Sequence, residues 1–117
     1  MNLNSILIGS EDPQRLATFY RSLFGDPTWE DRGYTGWMIG TGGLMVGPHD
    51  AVKGQNEQPG RMILNIETPD VRADFERFTS AGANVVQEPY NPGDEGDMLI
   101  ATFADPDGNY FQLVSPM

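Results

Sequence analysis

Apolar and polar positions along this chain follow two periods, and the order of the periods repeats. Leu3 to Ile8 is an apolar run of strand length. Asp12-Pro13 follows, an N-cap residue with proline at the first helical position. Leu16, Phe19, Tyr20, Leu23 and Phe24 then recur at helical spacing, and Gly25 supplies a C-terminal stop. The second half repeats this grammar at an offset of about 56 residues. Met62 to Ile66 predicts a strand, and Thr68-Pro69 starts a helix. Val71, Phe75 and Phe78 mark its buried stripe, and Gly82 ends it.

Three further strand-like segments follow each helix. In the first half they cover roughly 27–31, 34–40 and 43–47, with Thr41-Gly42-Gly43 as the hairpin turn. In the second half they cover roughly 84–88, 98–104 and 110–114. The predicted class is α+β, one domain of two βαβββ modules. Module one spans about 1–47, a polar linker 48–60 (PHDAVKGQNEQPG) follows, and module two spans about 61–117. The polar stretch 89–97 (PYNPGDEGD) has the length of a lid or binding loop.

The most specific stretch is FADPDGNYFQL, residues 103–113: a strand, a turn dense in Asp, Pro, Gly and Asn, and a second strand. Together with DPQRLATFYRSLFG and DVRADFERFTSAGANV it resembles the vicinal oxygen chelate superfamily over nearly the whole chain. That superfamily includes glyoxalase, bleomycin-resistance proteins and extradiol dioxygenases. The resemblance implies a strongly bent mixed sheet forming a cup, helices outside, a ligand site on the concave face, and a homodimer. In metal-dependent members the first and last strands of each half each supply one His or Glu ligand, and the ion polarises neighbouring substrate oxygens.

Carried over one position at a time, those ligands fall on Ser5, Met45 (or Val46, one position on), Arg61 and Gln112. A hydroxyl, a thioether, a guanidinium and an amide are no divalent-metal set, and Arg61 repels a cation. No metal and no cofactor are therefore expected. Two readings of Gln112 stand open: an uncharged hydrogen-bonding group offered to a ligand, or a partner for Arg61 on the adjacent strand.

Strand alternation selects the residues that share the inward face with these positions. The candidate ligand contacts are Ser5, Trp37, Met45, Arg61, Asn65, Tyr90, Tyr110 and Gln112. Trp37 fits a core or interface as well as a ligand platform. Trp29 and Tyr34 flank a turn at Asp31-Arg32-Gly33. His49, the single histidine, reads as a solvated loop residue, and Asp94, Glu95 and Asp97 as a solvated acidic loop or a cation site.

Composition narrows the classes. With no cysteine and one histidine, neither a Cys-His pair nor a disulfide framework is possible. No phosphate-cradling loop or dinucleotide fingerprint occurs. A formal charge of -10 argues against nucleic acid and anionic membranes and suits a cationic ligand; scattered acidic side chains also serve solubility. No apolar run reaches the roughly 20 residues of a membrane span, and the N-terminal residues do not read as a signal peptide, so a cytoplasmic location is expected. Three functions remain: a metal-free protein binding a small aromatic or cationic molecule; a lyase or isomerase with a non-standard site using Arg61; and an interaction module whose cup is filled by its own side chains.

Overall fold

The expected elements form in the expected order in the computed structural model, which describes residues 1–93 and 96–116. The chain divides into two compact units, Met1–Gly54 and Gln55–Met117. Unit one holds β1 (Ser5–Ser10), α1 (Pro13–Phe24), β2 (Trp29–Asp31), β3 (Tyr34–Ile39) and β4 (Gly42–Pro48). Unit two holds β5 (Leu64–Glu67), α2 (Val71–Ser80), β6 (Asn84–Tyr90), β7 (Ile100–Ala104) and β8 (Tyr110–Val114). Each is a four-stranded mixed sheet with one helix. The strand orders are β1-β4-β3-β2 and β5-β8-β7-β6. First and last strands pair in parallel, and the hairpins are antiparallel.

The two helices start by the same device. The Asp12 carboxylate accepts the Arg15 amide at 3.2 Å, and Asp70 accepts Ala73 at 3.0 Å. Two residues upstream, the Ser10 and Thr68 hydroxyls each accept the amide of the capping aspartate at 3.1 Å. Asp12 and Asp70 stand 58 positions apart, which corrects the offset of about 56. Pro13 is the first residue of α1, whereas Pro69 precedes the cap of α2.

Both cores lie between a helix and one face of its own sheet. In unit one, Leu16, Tyr20 and Leu23 of α1 cover Trp37, Leu44 and Val46, all buried. The Tyr20 ring stacks on Phe24 at 6.0 Å and meets Trp37 at 6.4 Å. In unit two, Phe78 packs on Phe103 and Phe111 at 5.7 and 6.2 Å, and those two rings stack at 5.4 Å. Burying each such side chain contributes roughly 1.5–3 kcal/mol.

The expected linker is split between the units. On unit one, Glu11 accepts the Gly54 amide at 2.9 Å and pairs with Lys53 at 3.9 Å. On unit two, residues 55–58 are tied to the DPDGN turn. Gln55 Nε2 donates to the Pro106 carbonyl, and the Asn56 amide to that of Asp107, each at 2.8 Å. The hairpin turn of unit one is Gly40-Thr41, one residue earlier than expected, since Ile39 already pairs with Gly42.

The DPDGN turn is organised by Asp105, 2% exposed. Its Oδ1 accepts the Asp107 and Asn109 amides at 2.9 and 3.0 Å, and Asn109 Nδ2 donates to Oδ2 at 3.0 Å. One carboxylate thus shapes the entry to β8 and the docking surface for the segment that leads into β5. We predict that Asp105→Ala destabilises the protein by about 3 kcal/mol, because it strands amides that water cannot reach. A urea unfolding curve checks this. An effect within the roughly 0.5 kcal/mol of an ordinary surface change would mean that the turn forms without the carboxylate.

Candidate functional site

Alternation along each strand leaves one sheet face without a helix. In unit one that face begins with the row Leu7, Met45, Gly36 and Trp29, paired across four strands. The next row holds Gly9 and Gly47, with the Tyr34 ring over Gly47. Ser5, Gly43 and Met38 form a third. Glycines carry much of this face because rings lie where their side chains would be. A Cβ on Gly36 would overlap the Trp29 indole, and one on Gly47 the Tyr34 ring. At the far edge a Cβ on Gly9 would meet His49 Cβ at 2.9 Å. Leu7 (47%), Met38 (53%) and Trp29 (40%) remain exposed there. The face, the floor of this unit, thus carries rings laid over glycine backbone, edged by flexible apolar side chains.

Unit two offers a different surface. Its helix-free face carries the row Asn65, Gln112, Thr102 and Gln87, one uncharged polar side chain from each strand. Gln112 Nε2 donates to Thr102 Oγ1 at 3.0 Å. The neighbouring row is Glu67, Val114, Ile100 and Tyr90, and Tyr110 lies on the opposite side, paired with Ala104. β6 reaches this register through two irregularities, between Val85 and Gln87 and between Gln87 and Tyr90.

Six of the eight candidate contacts thus lie on helix-free faces: Ser5 and Met45 in unit one, and Asn65, Tyr90, Tyr110 and Gln112 in unit two. Two do not. Trp37 is 3% exposed, packs against Tyr20, and donates Nε1–H to the Gly25 carbonyl at 2.9 Å. The pattern misled because Trp37 pairs with Leu44 and so shares the helix-covered face. Arg61 lies outside the strand, in a short 3-10 turn (Pro59–Arg61) before β5. Its Nε and Nη2 both donate to Gln58 Oε1, at 3.2 and 2.5 Å. The Arg61–Gln112 pairing does not form, since Arg61 lies outside the strand and its guanidinium is turned to Gln58.

The 58-residue offset also moves one inferred ligand position. Leu7 pairs with Met45 as Asn65 pairs with Gln112, so Met45 and Gln112 are equivalent. Ser5 then corresponds to Ile63, not Arg61. The four positions hold a hydroxyl, a thioether, an alkyl chain and an amide, which do not fit a divalent ion. Among the described residues no three His, Cys, Asp or Glu side chains come close enough to hold one. Asp94 and Glu95 lie outside the described residues.

The sequence puts Trp29 and Tyr34 beside a turn at the mouth of the cup; the structure lays their rings over Gly36 and Gly47. Gly36 and Gly47 in otherwise β-rich segments were the available signal, since a strand glycine marks a close approach.

A family model for the glyoxalase-like domain matches residues 5–114. No curated protein matches the chain. Among solved structures, a glyoxalase-related enzyme from Fulvimarina pelagi is 23% identical, with 99% of this chain and 88% of that one covered and a TM-score of 0.77. A glyoxalase/bleomycin resistance protein/dioxygenase family enzyme from Burkholderia phytofirmans PsJN is 18% identical over the whole of both chains, with a TM-score of 0.78. TnmS3, an antibiotic binding protein from Streptomyces sp. CB03234, is 23% identical over 100% of this chain and 97% of that one, with a TM-score of 0.75. At these identities the likeness is one of fold.

The floor of unit one carries its own prediction. Gly36→Ala places a methyl group in the Trp29 ring, so the indole must leave the backbone. The expected result is a red-shifted tryptophan emission and a loss of about 1–3 kcal/mol. Unchanged emission would show that the ring does not rest on Gly36.

Proposed function

The chain belongs to the glyoxalase-like domain family, and from that premise we propose that it binds a small organic molecule on the helix-free faces of its sheets without the family's usual metal. The observation that carries this reading is the floor of unit one, where Trp29 and Tyr34 lie over glycine backbone and Trp29 remains exposed. A ring laid on backbone is held in place before a ligand arrives, which lowers the ordering cost of stacking. Unit two presents its own surface, a row of neutral hydrogen-bonding groups.

Charge favours a cationic aromatic ligand. Residues 1–54 carry six acidic and four basic side chains, a net -2. Residues 55–117 carry eleven and three, a net -8, which together make the -10 of the chain. This field draws cations, and an open indole face attracts them further. A homodimer in the cytoplasm completes the proposal. The alternative, a lyase or isomerase working through Arg61, draws no support from a guanidinium already bound to Gln58 outside the strand. No helix among the described residues is long and apolar enough to cross a membrane.

Calorimetric titration with N-methylquinolinium, in chelator-treated buffer, tests the reading. We expect saturable binding that weakens with added salt and drops about tenfold in Trp29→Leu, the size of one stacking and cation–π contact. Quinoline-carboxylate should bind more weakly. Binding by neither probe, or binding that requires added Ni²⁺ or Zn²⁺, would overturn it. Sedimentation should give twice the chain mass, and a monomer would remove the dimer.

A further inference from the structure

The one histidine of the chain stands on the floor of unit one. Beyond β4 the chain folds back across the end of β1. A Cβ on Gly9 would meet His49 Cβ at 2.9 Å, Val52 Cγ2 at 3.4 Å and His49 Cγ at 3.6 Å. Gly9 pairs with Gly47, which the Tyr34 ring covers, and the Trp29 indole covers Gly36. Three neighbouring strands, β1, β4 and β3, thus each have a ring-bearing side chain seated on a glycine. The segment that brings His49 there is held in place. The Val52 amide donates to the His49 carbonyl at 3.1 Å, and Glu11 holds the Gly54 amide at 2.9 Å and Lys53 at 3.9 Å.

The hydrogen bonding of the imidazole fixes its state of protonation. His49 Nδ1 accepts the Ala51 amide at 3.1 Å. A ring nitrogen that accepts carries no proton, so the ring is neutral with its proton on Nε2. A second proton would set two N–H groups against each other. That bond would be lost, and a full positive charge would stand on the same face as the Tyr34 and Trp29 rings. The other titratable groups at this corner are Tyr34 of β3, Glu11 beyond β1, and Asp50 and Lys53 of the segment itself. Of these side-chain types only histidine ordinarily changes charge between about pH 5 and pH 8.

Given the binding proposed above for the floor, on which this step rests, we propose that His49 sets the charge of the molecule the floor accepts. Neutral, it admits a cationic aromatic ring. Protonated, it turns that ring away and favours an anionic one. The sign follows from linkage. A ligand cation and the second proton oppose each other, so acidification weakens cation binding, and a bound cation makes His49 harder to protonate. The distance allows it. Strands spaced by about 4.8 Å put Gly9 and Gly36 roughly 12 Å apart on one face, well inside the roughly 30 Å screening length of dilute salt. At such a separation, near a protein surface, one unit charge changes an affinity about threefold.

Two aromatic probes of fixed charge test this, N-methylquinolinium and 2-naphthalenesulfonate, titrated calorimetrically in dilute salt at about pH 5.5 and about pH 8. At the lower pH the cation should bind about threefold more weakly and the anion about threefold more tightly. His49→Asn keeps an acceptor for the amide two residues on and does not titrate, so both changes should vanish in it. The variant also isolates His49 from the general loss of negative charge on acidification, which it retains. A single histidine gives a single set of ring signals, and NMR should show its titration moving to lower pH when N-methylquinolinium saturates the protein. Equal affinities at the two pH values, a pH response as large in His49→Asn, or an unmoved titration each overturns the role of His49 and leaves the floor reading standing. Binding of neither probe at either pH overturns the floor reading and the role of His49 with it.

Discussion

The parallel pairing of the first and last strand within each half is the constraint on which the other features depend. It sets Leu7 beside Met45 and Asn65 beside Gln112, and alternation then assigns every other strand residue to a helix-covered or a helix-free face. A slip of one residue would turn Leu44 and Val46, or Phe111 and Leu113, away from their helices. The cores thus hold the register, and the register decides what the open faces present. Parallel strands cannot be joined by a tight turn, so each half uses its helix and hairpins as the long connection. In unit two the Asp105 carboxylate adds a direct clamp, because one turn both opens β8 and anchors the approach to β5.

The two halves share this frame and use it differently. One open face is glycine, ring and thioether, and the other a row of amides and hydroxyls. Among the described residues no three His, Cys, Asp or Glu side chains come together on either face. The acidic balance, concentrated in the second half, acts at longer range than stacking or hydrogen bonds. Fold and site are separable in this family, since register and caps are satisfied by core residues that leave the open faces free to vary.

Much of the architecture was legible from one strand to the next. Helix stripes, Asp caps and apolar alternation are local, and each was readable from a few neighbouring residues. The site was less so. Trp37 and Trp29 look alike in a strand pattern, yet one is buried beneath Tyr20 and the other lies open over Gly36. Arg61 was taken as a strand position at the start of the second half, whereas it closes a 3-10 turn before β5.

The sequence by itself determined two βαβββ halves, the helix of each, and an acidic balance. Those follow from periodicity, turn chemistry and residue type, which need no partner strand. Only the tertiary structure decided which face each aromatic ring occupies, that Gln112 donates to Thr102, and that Arg61 turns to Gln58 outside the strand. Those depend on pairing between strands distant in the chain, where one residue of register reverses the outcome, and no local pattern carries that information.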